Sequence, residues 1–242
     1  MAIDYQPLFI LAGGMLLQER KLSVIANNIA NVDTPSFKKD LVEVSSWYTD
    51  MGEKTPSQSP FRPDNNFVYP IIQNIYTDIS QGSIKETGNP LDLAIQGEAF
   101  FAVRTPEGIR YTKKGNFSLD SKAYLVTEEG FRVLDRNGRE IRILGNTIDI
   151  DEEGNIYIDG NLSYTLGIWA LENPTKVGED FFVGTAQPTQ EAVVLQGFLE
   201  LSNVNAVVEM VRLIEASRAH EVYSRLIQAM DEVQSRVNTI TR

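Results

Sequence analysis

Cysteine is absent from this chain of 242 residues. That excludes disulfide staples, thiolate catalysis and cysteine-ligated metals. It also suits a protein that leaves the cytosol unfolded and enters an oxidising space. Histidine occurs once, as His220, so a Ser-His-Asp triad would have to use it. It lies between Ala219 and Glu221 on an expected helix, where a structural or solvent-facing role is expected. Basic excess is lacking as well: 22 Lys and Arg against 33 Asp and Glu leave a formal charge of −11. This excludes nucleic acid as the main partner, since no surplus of cations can displace phosphate counterions. An acidic balance of this kind serves solubility.

No apolar run is long enough to span a bilayer, which takes about 20 residues, so no membrane insertion is expected. The run from Leu8 to Leu17 has the length of a secretion-signal core, but Asp4 and no Lys or Arg precede it. Glu19, Arg20 and Lys21 follow in place of a small-x-small cleavage site. It is expected to be a helix kept in the mature protein, with any export using a route that cleaves no such signal. Nucleotide and metal motifs are missing too. Gly82, Gly88 and Gly97 miss the GxGxxG spacing, and no Walker lysine follows. The stretch Asp149, Asp151, Glu152, Glu153 and Gly154 resembles a calcium loop, but the twelfth position is Gly160 where a bidentate Glu is needed. An acidic hairpin is the expectation there. Nothing singles out two carboxylates as a glycosidase pair. No catalytic residue, cofactor-binding residue or metal ligand is therefore assigned.

Apolar seams mark both ends of the chain. Leu8, Met15, Leu22 and Ile29 recur every seven residues, with Leu11, Gln18, Ile25 and Val32 interleaved. Near the C-terminus, Ala219, Tyr223, Leu226, Met230, Val233, Val237 and Ile240 alternate steps of four and three. Such a stripe is narrow and needs a partner helix. The first helix is expected over 6–32, with Pro7 in its first turn and Thr34-Pro35 ending it. Gly13 and Gly14 are a weakness in its middle, costing about 1 kcal/mol each relative to alanine. A second helix runs to about Asn238, capped by Ser202 or Asn203.

Between the helices the pattern changes twice. From Asp33 to about Ser80, prolines at 35, 56, 60, 63 and 70 interrupt any helical period. An extended arm is expected there, with possible strands at Leu41–Val44 and Ile71–Ile79. Its aromatics Trp47, Tyr48, Phe61, Phe67 and Tyr69 fit contact anchors for a partner and docking on the chain's own β-structure equally well. From about Gly82 to Gly184, short apolar runs alternate with turn signals such as Thr105-Pro106-Glu107-Gly108 and Asp135-Arg136-Asn137-Gly138. These argue an all-β sandwich or barrel. The expected fold is mainly β with terminal α-helices. A central β-rich domain spans 81–201, an extended arm or linker 33–80, and residues 1–32 with 202–242 form a coiled-coil-like assembly domain.

Residues 26–38, Ala-Asn-Asn-Ile-Ala-Asn-Val-Asp-Thr-Pro-Ser-Phe-Lys, resemble the N-terminal signature of the flagellar rod and hook proteins. The match covers Asn27, Asn28, Ile29, Ala30, Asn31, Thr34, Pro35, Phe37 and Lys38. It departs at Ser36, where the family usually has glycine. Gln81-Gly82-Ser83, the run Gly88 to Gly97, Phe100-Phe101 and Tyr111 to Phe117 resemble the start of the rod/hook β-domain. Ser202 to Asn205 with Glu209, Met210, Val211 and Ala219 resemble the family's C-terminal helix.

The resemblance implies a structural subunit of the bacterial flagellar basal-body rod, of proximal or distal type, with no enzymatic activity. The β-body is short for a hook protein, and the length favours proximal. It further implies export by the flagellar type III apparatus and helical self-assembly with other rod and hook-family subunits in the periplasm-spanning rod. The expected assembly interface comprises Leu8, Met15, Leu22, Ile29, Tyr223, Leu226, Met230, Val233 and Val237. Asn27, Asn28 and Asn31 join it, their amides either capping carbonyls at the helix end or crossing to adjacent subunits. Isolated helices of this length are marginal in water, so the ends are expected to be loosely ordered until they meet partners. The rival reading is a carbohydrate-binding β-domain or hydrolase with helical oligomerisation ends.

Overall fold

The computed structural model describes residues 6–49, 67–178, 180–189 and 192–240. The chain divides into two compact units, one of Met1–Ile29, Asp40–Tyr76 and Ala206–Arg242, the other of Ala30–Lys39 and Thr77–Asn205.

The first unit holds helix α1 (Gln6–Ala30), strands β1 (Asp40–Thr49) and β2 (Phe67–Thr77), and helix α2 (Ala206–Ile240). The helices lie where the seams place them, each within a few residues of the expected bounds. α2 begins at Ala206, and the Asn203 side chain bonds segments of its own β-rich unit (below). β1 and β2 pair in a two-stranded ribbon, longer than the short strands expected of the arm. The side chains of Trp47, Tyr48, Phe61, Phe67 and Tyr69 lie outside the described residues, as does that of Val237. The interior of this unit is thin. Among the described residues, α1 buries only Gly14, Leu17 and Asn28, and α2 only Glu209 and Ala216.

The second unit is β-rich. Its strands are β3 (Ile84–Glu86), β4 (Leu93–Gln96), β5 (Ala99–Thr105), β6 (Gly108–Thr112), β7 (Ser118–Leu119), β8 (Leu125–Val126), β9 (Arg132–Val133) and β10 (Ile148–Ile150). They continue with β11 (Asn155–Ile158), β12 (Asn161–Thr165), β13 (Ile168–Val177), β14 (Phe181–Pro188), β15 (Val193–Gln196) and β16 (Phe198–Glu200). The main sheet runs β13-β14-β6-β5-β9-β8-β7. β5 also pairs with β13, through Ile168↔Phe101 and Trp169↔Phe100, so four strands close on themselves in barrel-like fashion. β10-β11-β12 form a second sheet, and β15 pairs β4 while β16 pairs β3. Among the described residues of this unit, the strand pairings are antiparallel, of the kind the turn-rich sequence implies.

Alternation along these strands builds one interior. Leu93, Phe101, Val133, Ile141, Ile156 and Leu166 are each almost wholly enclosed in a single apolar cluster. Phe101 meets Phe117 edge-on with ring centroids 5.1 Å apart, a favoured aromatic geometry. Burying a large side chain of this kind stabilises by roughly 1.5–3 kcal/mol, and among the described residues this unit holds most of the buried hydrophobic side chains. The acidic stretch at 149–154 ends β10 and forms the turn into β11 at 151–154, closed by Asp151 Oδ1 accepting from the Glu153 and Asn155 amides at 3.1 and 2.8 Å.

Candidate functional site

The segment that carries the Asn-rich signature does not trail off as an arm at once. Residues 30–39 fold with the β-rich unit, and the bend that admits them centres on Ser36, whose φ is +57°. A side chain in this left-handed region costs roughly 1–2 kcal/mol, which glycine avoids. Here the hydroxyl offsets that cost: Ser36 Oγ donates to the Lys113 carbonyl at 2.8 Å, and the Ser36 amide donates to the Glu200 carbonyl at 2.8 Å.

Lys38 follows and is fully enclosed. Its ammonium donates to Glu200 Oε1 at 2.5 Å and to the Ser80 carbonyl at 2.7 Å. Glu200 Oε1 also accepts from the Gly82 amide at 2.7 Å. Glycine is required at 82, where a Cβ would fall 2.0 Å from the Leu201 carbonyl oxygen. Buried charges persist only when paired and hydrogen-bonded, and both conditions hold here. Phe37 is buried, with the Lys176 ammonium 4.3 Å from its ring centroid. Asn203 completes the arrangement. Its Oδ1 accepts from the Lys39 amide at 2.9 Å, and its Nδ2 donates to the Asp78 and Ser80 carbonyls at 2.8 and 3.2 Å. Residues 36–39, 78–82 and 200–203 are thus cross-tied inside one unit. Such a pair contributes geometry more than net stability, because desolvation offsets much of the Coulomb attraction.

The expected interface residues distribute differently. Asn28 is buried and makes a reciprocal pair with Asp40: Nδ2 donates to the Asp40 carbonyl at 2.9 Å, and Oδ1 accepts from the Asp40 amide at 3.0 Å. Its amide thus mimics a strand partner for the first residue of β1. Asn31 Oδ1 accepts from the Thr34 hydroxyl at 3.2 Å, and Asn27 is exposed. Leu8, Met15, Leu22 and Ile29 are half-buried, as are Tyr223 and Met230, while Leu226 and Val233 are exposed. The enclosed positions of α1 therefore stand one residue before the expected stripe. Gly14 explains the offset locally, because it lets Tyr223 approach so closely that a Cβ there would sit 2.5 Å from the ring.

A second apolar stripe lies outside the expected seam. Val207, Val211, Ile214 and Val222 are 71, 52, 52 and 55 % exposed, all on α2. Their spacing of four, three and eight residues puts them on one helical face, which is a readable signal. On α1, Phe9 and Leu16, seven residues apart, are 65 and 63 % exposed. Among the described residues no group of His, Asp or Glu is arranged to hold a metal ion, and no helix is long and apolar enough to cross a membrane. His220 is half-buried on α2.

Comparison with known proteins follows the same geography. Residues 8–38 match the family profile described as flagella basal body rod protein, 94–164 the flagellar hook protein FlgE/F/G D1 domain, and 195–240 the flagellar basal body rod FlgEFG protein C-terminal. The flagellar basal-body rod protein FlgG of Borreliella burgdorferi is 34 % identical over 263 residues, covering 97 % of this chain and 98 % of its own. FlgF of Mesorhizobium japonicum is 31 % identical over 231 residues, covering 91 % of each chain. FlgG of Bacillus subtilis is 31 % identical over 262 residues, covering 95 % of this chain and 96 % of its own.

Proposed function

This chain belongs to the flagellar basal-body rod family of FlgF and FlgG, and we propose that it polymerises through its terminal helices into the axial rod. Family membership makes it a structural rod subunit of the bacterial flagellum basal body. The observation that carries the mechanism is the row of uncovered apolar side chains on α2, Val207, Val211, Ile214 and Val222. Each is a large hydrophobe on a helix whose own unit leaves it wet, and covering it against another subunit removes that surface from water at about 25 cal/mol per Å². Leu226 and Val233 extend the row toward the C-terminus, and Phe9 and Leu16 supply a shorter one on α1.

The cross-tied segments at 36–39, 78–82 and 200–203 hold the signature residues Phe37 and Lys38 inside the β-rich unit. We read the subunit as the proximal type, on the short length of the chain. Export proceeds through the flagellar type III apparatus, for which loosely packed ends are an advantage, and the subunit performs no catalysis.

Replacing Val211 and Ile214 together by glutamate tests the mechanism. Both side chains are half exposed, so the melting temperature of the monomer should move by no more than a few degrees. Incorporation into isolated basal bodies, read by immunoblot, should be lost. Wild-type incorporation by this variant would show that the α2 face is not the polymerising surface.

A further inference from the structure

Two guanidinium groups converge on one aromatic ring in the β-rich unit. The Arg132 guanidinium carbon lies 4.3 Å from the Tyr124 ring centroid, and that of Arg142 lies 5.5 Å away. Arg142 Nε donates to the Lys122 carbonyl at 2.9 Å, which puts Lys122 beside them. Arg132 is paired with Glu140. The neighbouring carboxylate, Asp120, accepts from the amides of Tyr124 and Lys122 at 2.9 and 2.7 Å, and these bonds, with the charges of Arg132 and Lys122, hold its carboxyl below the ordinary value. Among the described residues neither Lys122 nor Arg142 has a carboxylate within ion-pair distance, and both are exposed.

In a chain of net charge −11, Lys122, Arg132 and Arg142 against Asp120 and Glu140 leave this face a small positive excess, carried by the exposed Lys122 and Arg142. An arginine stacked on a ring and tied to a carbonyl has given up most of its rotamer freedom before any partner arrives. Arginine and tyrosine in that arrangement make strong interface anchors. The complementary charge stands elsewhere in the same unit. Asp149, Glu152 and Glu153 flank the β10–β11 turn, all exposed, and among the described residues none of them has a cation within ion-pair distance. The turn itself is rigid, held by the Asp151 bonds described above.

We infer that the Tyr124 face is a contact surface between copies of this chain, and that it receives the acidic β10–β11 turn of a second copy. The inference rests on the assembly reading above and extends it from the helices to the β-rich units. Two different patches meet, so the contact is head-to-tail and propagates instead of closing a pair. Charge complementarity of this kind fixes register and suppresses wrong partners.

The test is a charge swap in the full chain, expressed in flagellated cells lacking their own copy. One variant carries Lys122→Glu and Arg142→Glu, a second Glu152→Lys and Glu153→Lys, and a third all four changes. The first two should enter basal bodies about tenfold less than wild type, and the third should recover to within about twofold. A milder pair, Lys122→Gln with Arg142→Gln, should lose an intermediate amount and covers the case in which charge reversal impairs folding. Wild-type levels in both two-site variants, or no recovery in the four-site chain, would overturn the inference while leaving the rod reading intact. Absence of the wild-type chain itself from basal bodies would remove the rod reading, and this contact with it.

Discussion

Lys113 is almost fully enclosed, donating to the Gly97 carbonyl at 3.0 Å with its ammonium 5.3 Å from the Phe100 ring centroid. Burial pulls it down from the ordinary lysine value to about 8; Glu200 works against the shift, Lys38 adds to it and Glu98 again opposes it. A pKa lower in the folded than in the unfolded state means that the charged form is penalised by folding. The penalty is full below about pH 8 and disappears as pH rises toward 10.5. Stability should therefore climb across that window by something on the order of 3 kcal/mol from this residue. Comparing wild type with Lys113→Met by thermal denaturation from pH 7 to 10 checks it. The methionine variant's advantage should shrink steadily as pH rises, and a pH-independent difference would contradict the account. The same neighbourhood shows what was readable residue by residue. The departure at Ser36 from the family's glycine stands in the sequence. Only the fold shows the positive φ that makes glycine usual there, and the hydroxyl bond that lets serine replace it.

At the scale of elements, α1 carries two adjacent glycines with opposite roles. A Cβ on Gly13 would meet nothing within 4 Å, whereas one on Gly14 would press into the Tyr223 ring. Gly13→Ala should stabilise the helix by about 0.5–1 kcal/mol, because it removes backbone freedom from the unfolded chain without a clash. Gly14→Ala should show no such gain and should cost about 1–3 kcal/mol as the ring is displaced. Helical circular dichroism during thermal unfolding distinguishes them. From sequence both glycines read as the same flaw. The helices, the hairpin turns and the acidic β10–β11 turn were legible, since each rests on local periodicity or turn chemistry. The rotation of α1 about its axis was not, because it depends on which residue of another helix comes closest.

For the whole molecule, packing is unequal between the two units. The β-rich unit encloses an apolar cluster from Leu93 to Val194, while α2 beyond Ala216 buries no described side chain. In dilute monomer, slow hydrogen exchange should be confined to the β-rich unit, with residues 8–30 and 217–236 exchanging rapidly. Both helices should become protected in assembled rods. Strong protection of 8–30 in a monomer with no oligomer present would show that these ends do not wait for partners. That split also explains why the function could be read early. A helix with more apolar surface than its own unit covers announces a need for other chains, whatever the β-rich unit does.

The sequence by itself determined the two terminal helices, the β-rich middle, the absence of thiol chemistry and the signature that places the chain in its family. These follow from residue type and spacing along the chain, which are local quantities. Only the tertiary structure decided that Lys38 and Glu200, 162 residues apart, share one buried bond, that Asn203 serves Lys39, Asp78 and Ser80 instead of capping α2, and that Asn28 is spent on β1. Each depends on segments distant in sequence meeting where water is excluded, so that an unpaired charge or amide would be costly.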